Sequence, residues 1–518
     1  MKQFPWITLL TLLPIFGGIV VSGISRAQLA RRWALFFSLL ALGLGITLWA
    51  GFDSSDPDVQ FVERYEWIPS IGAEYFVGVD GLGLLMVLLS AAIVPFALMA
   101  PGRISENTKM YFGLFLFLEA GLFGTFTALN FIHWFLYWEL SLVPAYFLIK
   151  LWGGGDRAGA AAQFFVYTLV GSVTLLLAFL AIFLSTRTMD FIKLAELARG
   201  HNDGLASYFS VSLKWYSILP QDLALIIFFG AFLGFAVKVP VVPFHTWLPA
   251  TYAAAPTGVV MVLTGVMSKM GVYGFLRILL PIFGEQMRQV LTPLLWLSLA
   301  TILFSAFAAF AQRDLKRLLA YSSINHLGYC LLGIMAAVKL TGQEANWAVE
   351  RAAVLNGVLL QMVNHGVTAA ALFWFVGWLE ERGGGYRGLN DFGGLRQSAP
   401  VFTGLMGIAI FASLGLPGLN GFIGEFLIFK GAFALVTWAT ALATIGLLVT
   451  AVFLLTMVQR VFWGPLPVRW SSFRDLTVQE GLIVIPGLLV MLLIGIYPAI
   501  VLKWINATVT QMAAQLAS

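Results

Sequence analysis

Apolar runs of about twenty residues, separated by short polar breaks, follow one another along almost the whole chain. A helix of about 20 apolar residues is long enough to cross the hydrocarbon layer of a membrane. Fourteen such runs, here called spans 1 to 14, lie near residues 4–22, 33–51, 82–100, 111–129, 131–150, 162–185, 222–243, 257–281, 292–311, 317–338, 353–379, 400–436, 440–463 and 480–504. We therefore predict an all-α polytopic membrane protein with about 14 transmembrane helices.

Charged residues make up 11% of the 518 residues, against roughly 25% in soluble proteins. This deficit excludes a soluble enzyme, a disordered chain and a nucleic-acid-binding domain. Apart from Lys238, Lys269 and Lys430, sixteen of the Lys and Arg residues, including Arg103, are assigned to alternate loops and helix ends on one side and eleven to the other. Because cytoplasmic loops are enriched in cations, the first side is predicted to be cytoplasmic, with both termini on the opposite side.

The sequence shows no pattern typical of a cleaved signal peptide, a disulfide, a metal site or a bound cofactor. Residues 4–22 lack a signal-peptide cleavage site, so we expect this span to be retained. The single cysteine, Cys330, excludes an intramolecular disulfide and a cysteine-ligated cluster. The histidines lack the spacing of metal ligands, and no dinucleotide, P-loop or haem-attachment motif is present. We expect neither a metal nor a cofactor in this chain.

Ionisable side chains lie inside several predicted spans, where a charge costs roughly 2.5–3.5 kcal/mol. Such a cost indicates a functional role, but structural alternatives stay open: charge pairs that only fix packing, satisfied interior histidines, and side chains near a helix end that reach the interface. The last alternative applies to Glu119 and Lys430, and an interfacial position is expected for His133. The functional candidates are Glu139, Lys238, Lys269, His326, His365 and Glu425.

Two spans carry helix-breaking residues next to a charge. Span 7 reads GFAVKVPVVPFHTWLP, with Lys238 two residues before Pro240, and span 12 reads SLGLPGLNGFIGEF, with Pro417 and two glycines before Glu425. Such breaks survive in a membrane only beside protein or a wet cavity. Interrupted helices in corresponding halves predict two inverted five-helix repeats with an ion site at each break. The predicted parts are helices 1–3 (residues 1–110), helices 4–8 (111–285), helices 9–13 (286–465) and helix 14 (466–518).

Several strings in this sequence resemble the antiporter-like subunits of respiratory complex I. They are FLYWELSLVPAYFLI, KVPVVPFHTWLP, SKMGVYGFLR, YSSINHLGY, QMVNHG and LPGLNGFIGEF. They stand in the family's order, and the match runs over most of the chain. A Glu in the GEF string of span 12 is similar to the subunit-4 type, also called NuoM or NdhD. The strings FPWITLLTLLPI and YEWIP are most similar to the cyanobacterial and chloroplast NdhD branch.

The resemblance implies a proton-translocating membrane-arm subunit of an NAD(P)H- or ferredoxin-driven quinone oxidoreductase, an enzyme only as part of its complex. It implies other membrane-arm subunits and a peripheral electron-input arm as partners, which would hold the iron–sulfur clusters and the quinone, here plastoquinone. The implied location is a cyanobacterial thylakoid membrane or otherwise a bacterial inner membrane. In the family, the helix-5 Glu pairs with the helix-7 Lys, and the others relay protons laterally. Carried over, the relay residues are Glu139, Lys238, Lys269, His326, His365 and Glu425.

Electrostatics gives such a relay a physical basis. Opposite charges about 4 Å apart attract by about 4 kcal/mol at an effective dielectric near 20. A Glu139–Lys238 pair at that distance would hold Lys238 protonated, and its opening would drive a proton towards Lys269. We expect trapped water between the relay side chains, since groups a helix diameter apart do not touch. Glu425 is expected to be largely free of Lys430, five residues on.

The sequence also departs from the family pattern. After HTWLP the family usually has Asp-Ala-His, where this chain has Ala250, Thr251 and Tyr252, and Asn130 stands where Asp is common. The first change puts the usual proton entry in doubt and is typical of a specialised paralogue, for instance the form in cyanobacterial CO2-uptake complexes. Three functions remain open: a proton-translocating redox subunit, an Mrp-type cation/proton antiporter or hydrogenase-linked membrane subunit, and a passive helical scaffold.

Overall fold

Helices of membrane length make up most of the protein. The computed structural model describes residues 4–100, 102, 104, 106–200, 204–209, 211–213, 216–340 and 347–517, so Arg103 lies outside the described residues. The helices are α1 (Trp6–Ser22), α2 (Ala27–Gly51), α3 (Gly81–Met99), α4 (Thr108–Thr127), α5 (Phe131–Trp152), α6 (Arg157–Thr186), α7 (Phe191–Arg199), α8 (Pro220–Lys238), α9 (Trp247–Ala254), α10 (Thr257–Ile282), α11 (Gly284–Gln289), α12 (Leu291–Phe310), α13 (Leu315–Val338), α14 (Ala348–Arg382), α15 (Pro400–Ser413), α16 (Asn420–Leu435), α17 (Thr437–Phe462), α18 (Val478–Ile496) and α19 (Ala499–Ala517).

The apolar lengths of these helices confirm the predicted fold class. In the described ranges, twelve helices are long and apolar enough to cross a membrane, and α1 and α15 are shorter apolar helices. The chain is therefore an all-α, multi-pass integral membrane protein. The count of fourteen, the inverted repeats and the division into four parts stay predictions.

The two longest connections between predicted spans, from span 2 to span 3 and from span 6 to span 7, each contain a small antiparallel hairpin. Strands β1 (Gln60–Ile68) and β2 (Ala73–Val79) pair with Tyr65 opposite Tyr75, and β3 (Val211–Leu213) pairs with β4 (Tyr216–Ile218). The first hairpin leads directly into α3, where the Asp80 side chain accepts a hydrogen bond from the Gly83 amide at 2.9 Å. An aspartate at the N-cap satisfies a helix amide that would otherwise lack a partner. The sequence patterns predicted no strands.

Both predicted helix breaks are present. One span stops at Lys238 at the end of α8 and resumes at Trp247 in α9. The second stops at Ser413 and resumes at Asn420, and its connection passes through Gly415 at φ +79° and Gly418 at φ +92°. Such φ values favour glycine because a Cβ atom is strained there. The breaks leave half-helix ends inside the bundle, next to Lys238 and near Glu425.

Two parts of the helix pattern differ from the prediction. Span 14, predicted at 480–504, is two helices, α18 and α19, with Tyr497 and Pro498 between them. Proline disfavours helix in the residue before it, so apolarity alone extended the predicted helix too far. The span that contains Lys269 is α10, in which residues Leu263–Met267 and Phe275–Leu279 are π-helical. These irregular segments were not predicted.

Helix α19 packs back onto the bundle. The Gly81 amide donates to Thr508 Oγ1 at 3.0 Å, and Asn356 Nδ2 donates to Asn506 Oδ1 at 3.1 Å. A Cβ atom on Gly81 would lie 2.6 Å from the Trp504 carbonyl oxygen. The C-terminal helix is thus held against α3 and α14, the helices that flank α10.

Candidate functional site

Four of the predicted relay residues form a line of side-chain contacts across four helices. Lys269 Nζ on α10 lies 2.6 Å from His365 Nδ1 on α14. The ring centroids of His365 and His326 are 5.3 Å apart, and His326 Nδ1 on α13 lies 2.9 Å from Glu425 Oε1 on α16. All four residues are buried, with exposed fractions of 0% to 7%. Acids and bases in contact inside a membrane protein can exchange protons without crossing lipid.

The expectation that water must separate these side chains is wrong for Lys269–His365 and for His326–Glu425. For the Lys269–His365 pair the reason is the close approach of the two helix backbones at glycines. A Cβ atom on Gly366 of α14 would lie 2.7 Å from the Gly265 carbonyl oxygen of α10. With the helices this close, a long lysine and a planar imidazole span the remaining gap directly.

The Lys269 ammonium has a second partner in its own helix. Its Nζ donates to the carbonyl oxygen of Thr264, which belongs to the first π-helical segment. The Thr264 and Ser323 hydroxyls lie 3.0 Å apart beside it. A buried ammonium is tolerated only when such partners replace water. The structure therefore holds Lys269 between a backbone carbonyl and a histidine.

Glu139 and Lys238 do not form the predicted contact pair. Lys238 is 2% exposed, and its Nζ lies 4.7 Å from the centre of the Trp138 ring. Neither this Nζ nor Glu139 Oε1 has a hydrogen-bond partner among the described residues, although the two charges still interact electrostatically. The physical reason is that Trp138, next to Glu139 in the chain, takes the ammonium against its π face. The structure thus shows this pair open.

Three other ionisable residues are also placed by the structure. Glu119 is fully buried on α4, where the Ser38 hydroxyl donates to its Oε1 at 2.8 Å, so the interfacial alternative is wrong for this residue. Lys430 is exposed on α16, and no ion pair joins it to Glu425 among the described residues. His133 is 6% exposed and lies near the start of α5, with its ring centroid 4.6 Å from that of Tyr75.

The positions that depart from the family pattern have structural partners. Asn130 is the N-cap of α5, and its Oδ1 accepts a hydrogen bond from the Ile132 amide at 3.2 Å. Tyr252, where the family has His, is buried on α9 with its ring 5.7 Å from that of Phe373. Asparagine satisfies an N-cap as well as aspartate does. The change at Asn130 is therefore explained by capping alone.

Sequence analysis missed two side chains that touch the relay. Gln361 Nε2 donates to Glu425 Oε1 at 3.3 Å, and Ser413 Oγ lies 3.2 Å from His326 Nε2. Gln361 precedes His365 by one helical turn, which places both on one face of α14. Ser413 is the last residue of α15 before the break. Gln361 was therefore detectable from its spacing to His365, whereas the Ser413–His326 contact joins residues 87 positions apart in the sequence and has no such signal.

The donor set gives no indication of a metal. Among the residues that the structure describes, no group of three or more His, Cys, Asp or Glu side chains could hold a metal ion. The one cysteine, Cys330, is buried and free.

Glycine at position 415 leaves space for the Glu425 carboxylate, which leads to a first prediction. A Cβ atom there would lie 2.8 Å from Glu425 Oε2, and φ is +79°. We expect Gly415→Ala to displace the carboxylate from His326 and to lower proton translocation several-fold, measured in reconstituted vesicles. Gly418→Ala is the matched control, since φ is +92° there and, within the described residues, no atom lies within 4 Å of the added Cβ. Equal losses in both variants would mean that backbone strain, about 1 kcal/mol, is the cause rather than Glu425.

A helical membrane bundle with titratable side chains in contact beside broken helices is the architecture of an ion-translocating membrane protein. The comparisons with known proteins agree with this class. The chain belongs to the family described as NADH:quinone oxidoreductase/Mrp antiporter, TM, which matches residues 128–452, more than half of the chain. The family predicted from the sequence motifs is thereby confirmed.

Relatives match over nearly the full length. NADH-quinone oxidoreductase subunit M of Rhodobacter capsulatus is 35% identical over 514 residues, covering 98% of this chain and 96% of its own. NAD(P)H-quinone oxidoreductase chain 4 1 of Synechococcus sp. (strain JA-3-3Ab) is also 35% identical, over 527 residues, covering 100% of this chain and 94% of its own. The similarity is therefore to whole subunits of this kind.

Solved structures share the fold. A chain of respiratory complex I from Thermus thermophilus with bound NADH superposes with a TM-score of 0.83 at 29% identity, covering 99% of this chain and all of that one. A chain of the Mrp complex from Dietzia sp. DQ12-45-1b superposes with a TM-score of 0.80 at 19% identity, covering 99% of this chain and all of that one. The second likeness shows the fold alone.

Proposed function

We propose that this chain is a proton-translocating membrane-arm subunit of a complex I-like NAD(P)H-quinone oxidoreductase. The observation that carries the proposal is the line of contacts from Lys269 through His365 and His326 to Glu425. A scaffold would bury leucine at these positions at lower cost, since each intramembrane charge costs roughly 3 kcal/mol. Similarity over the full length to subunits of quinone oxidoreductases supports the proposal that this relay works within such a complex.

In this proposal the protons move laterally along the contact line. The Lys269 ammonium gives a proton to His365 Nδ1, 2.6 Å away, and the two imidazoles pass it on across ring centroids 5.3 Å apart. His326 Nδ1 then faces Glu425 Oε1 at 2.9 Å. Each step breaks one N–H bond and forms one N–H or O–H bond. The Lys269–His365 and His326–Glu425 steps run over hydrogen-bond distances, whereas no hydrogen bond joins the two imidazoles among the described residues, so the step between them requires ring rotation.

The Glu139–Lys238 pair is proposed as the control element upstream of this line. At a separation of about 4 Å the pair would gain about 4 kcal/mol, which corresponds to about a thousandfold in the proton occupancy of Lys238. In the structure the pair is open and Lys238 lies against Trp138. We infer that closing and opening this pair alternately holds a positive charge at Lys238 and releases it towards Lys269.

Electron transfer is proposed to take place in partner subunits. This chain has one cysteine, which is too few to ligate an iron–sulfur cluster. The proposed partners are other membrane-arm subunits and a peripheral electron-input arm, which would hold the iron–sulfur clusters and bind the quinone. This chain would then contribute to the enzyme by coupling, without a redox centre of its own.

The finer placement within the family rests on a few strings. The cyanobacterial branch is supported by the strings FPWITLLTLLPI and YEWIP and by the departure from the family pattern at Ala250–Tyr252. The same features support a thylakoid location, plastoquinone as the quinone and a CO2-uptake paralogue. Identity to the Rhodobacter capsulatus and Synechococcus relatives is 35% in both cases, which supports a bacterial inner membrane as well. Isolating the complex and identifying its other subunits would separate these alternatives. No specific observation favours the Mrp-type antiporter, whose solved relative is 19% identical.

A substitution at the start of the contact line tests the proposal. We expect Lys269→Met, in the intact complex reconstituted in vesicles, to lower proton translocation at least about hundredfold, because one proton-transfer group is removed. The measurement is acidification of the vesicle lumen per quinone reduced. Lys503→Met is the matched control, since Lys503 is exposed on α19. Translocation at the wild-type ratio in Lys269→Met would support the scaffold alternative instead.

A further inference from the structure

Gln361 lies at the junction between the last two relay groups. Its Nε2 is 3.3 Å from Glu425 Oε1 and 3.4 Å from His326 Nδ1, the two atoms that lie 2.9 Å from each other. The residue is 2% exposed. One amide nitrogen is thus within hydrogen-bond reach of both the donor and the acceptor of a proposed proton transfer.

The packing around Gln361 leaves room for this orientation of the amide. A Cβ atom on Gly424 of α16 would lie 2.5 Å from Gln361 Oε1, so glycine provides the space that the carbonyl end occupies. Gln361 Oε1 itself has no hydrogen-bond partner among the described residues. The reverse orientation would place this carbonyl against the Glu425 carboxylate, where two acceptors repel. The carboxylate therefore fixes the NH2 group towards the relay.

Neighbouring polar side chains are engaged elsewhere. Asn364 Nδ2 donates to the Asn420 carbonyl oxygen at 2.6 Å, and Asn420 Nδ2 donates back to the Asn364 carbonyl oxygen at 3.2 Å. Ser413 contacts the other nitrogen of His326, Nε2. Within the described part of the chain, Gln361 is accordingly the uncharged side chain in contact with both His326 Nδ1 and Glu425.

We propose that Gln361 is a positioning residue that prepares the His326–Glu425 pair for proton transfer, its amide donating to whichever of the two atoms lacks the proton. Before transfer, His326 Nδ1–H and the Gln361 amide both donate to the Glu425 carboxylate. During transfer the N–H bond breaks and an O–H bond forms on Glu425. Afterwards Nδ1 carries a lone pair, and the Gln361 amide can donate to it. This inference rests on the proposed function.

The titratable groups that face Glu425 define the background for a test. They are His326, Tyr329 and Cys330 on α13 and His365 on α14, with Lys269 behind His365. None of these is altered when Gln361 is replaced. A change in the infrared band of Glu425 in such a variant would therefore report the loss of the amide donor.

The experiment uses the intact complex with Gln361→Met, which keeps the length and apolar volume of the side chain. We expect translocation to fall about tenfold and the infrared carbonyl band of Glu425, identified by its loss in Glu425→Gln, to shift in frequency. Both effects follow because the Glu425 carboxyl group loses a hydrogen-bond donor. Thr368→Val is the matched control, a buried polar residue of α14 that bonds to Asn420 instead.

A second variant and a separate reference keep the test decisive. Gln361→Asn retains an amide but withdraws it by one methylene, so it should show the same shift if Gln361→Met fails to assemble. An unchanged Glu425 band and unchanged translocation in either assembled variant would overturn the role of Gln361. Normal translocation in Lys269→Met would instead overturn the proposed function, and since Lys269 does not touch Gln361 in the described part of the chain, the two failures are distinguishable.

Discussion

Lys238→Met and Glu139→Gln should each abolish coupled proton translocation while leaving the complex assembled. Lys238 is buried at the end of a broken helix, where its ammonium lies against the Trp138 ring and has no hydrogen-bond partner among the described residues. Methionine fills the same volume without the charge, and glutamine keeps the shape of glutamate. Because each substitution removes the Glu139–Lys238 attraction of about 4 kcal/mol, we expect proton translocation to fall about a thousandfold, to the detection limit.

The measurement is lumen acidification per quinone reduced in vesicles, together with the amount of assembled complex. Lys150→Met is the matched control for α5 and its surroundings, since Lys150 is exposed and donates to the Tyr146 hydroxyl at 2.9 Å. Full translocation in Lys238→Met or Glu139→Gln would remove the pair from the mechanism, whatever the outcome at Lys269.

Glu425→Gln is expected to have the second large effect. The carboxylate is the last group in the contact line, and an amide in its place cannot take the proton from His326 Nδ1. We expect translocation to fall at least about hundredfold, the contribution typical of a positioned proton-transfer group. Glutamine preserves the size and most of the hydrogen bonding, so assembly should be retained.

Lys430→Gln, on the same helix, provides the control because that side chain is exposed. It should translocate protons as the unmodified complex does. The assay is again the ratio of protons moved to quinone reduced, over a range of pH. If Glu425→Gln performs like Lys430→Gln, the line of contacts ends before α16 and Glu425 is a packing residue.

Intramembrane charges were the most informative part of the sequence. Lys269, His326, His365 and Glu425 are predicted from their cost in lipid, and the structure brings all four into one line. The helix breaks were equally predictable, because proline and glycine act through local backbone geometry. Features that depend on one residue and its immediate neighbours are accessible without a structure.

Distances between helices were not accessible in this way. The direct Lys269–His365 contact depends on the backbone approach at Gly265 and Gly366, two glycines that lie far apart in the sequence. Glu139 and Lys238 stay apart because the Lys238 ammonium lies against the Trp138 ring. Three-dimensional packing decides which of these two neighbours the ammonium contacts. Side-chain partners across helices are set by tertiary structure, and a single sequence carries little record of them.

The π-helical segment before Lys269 has a consequence for the register of α10. A π-helical turn contains one residue more than an α-helical turn, and each residue rotates an α-helix by about 100°. The segment Leu263–Met267 therefore sets the azimuth of every side chain that follows it, including Lys269. Regular α-helix through this stretch would turn the lysine away from His365 onto another neighbour. The Lys269–His365 contact between α10 and α14 thus depends on the one extra residue in this π-helical turn. That residue lies about one turn before Lys269 and sets the direction of the lysine side chain.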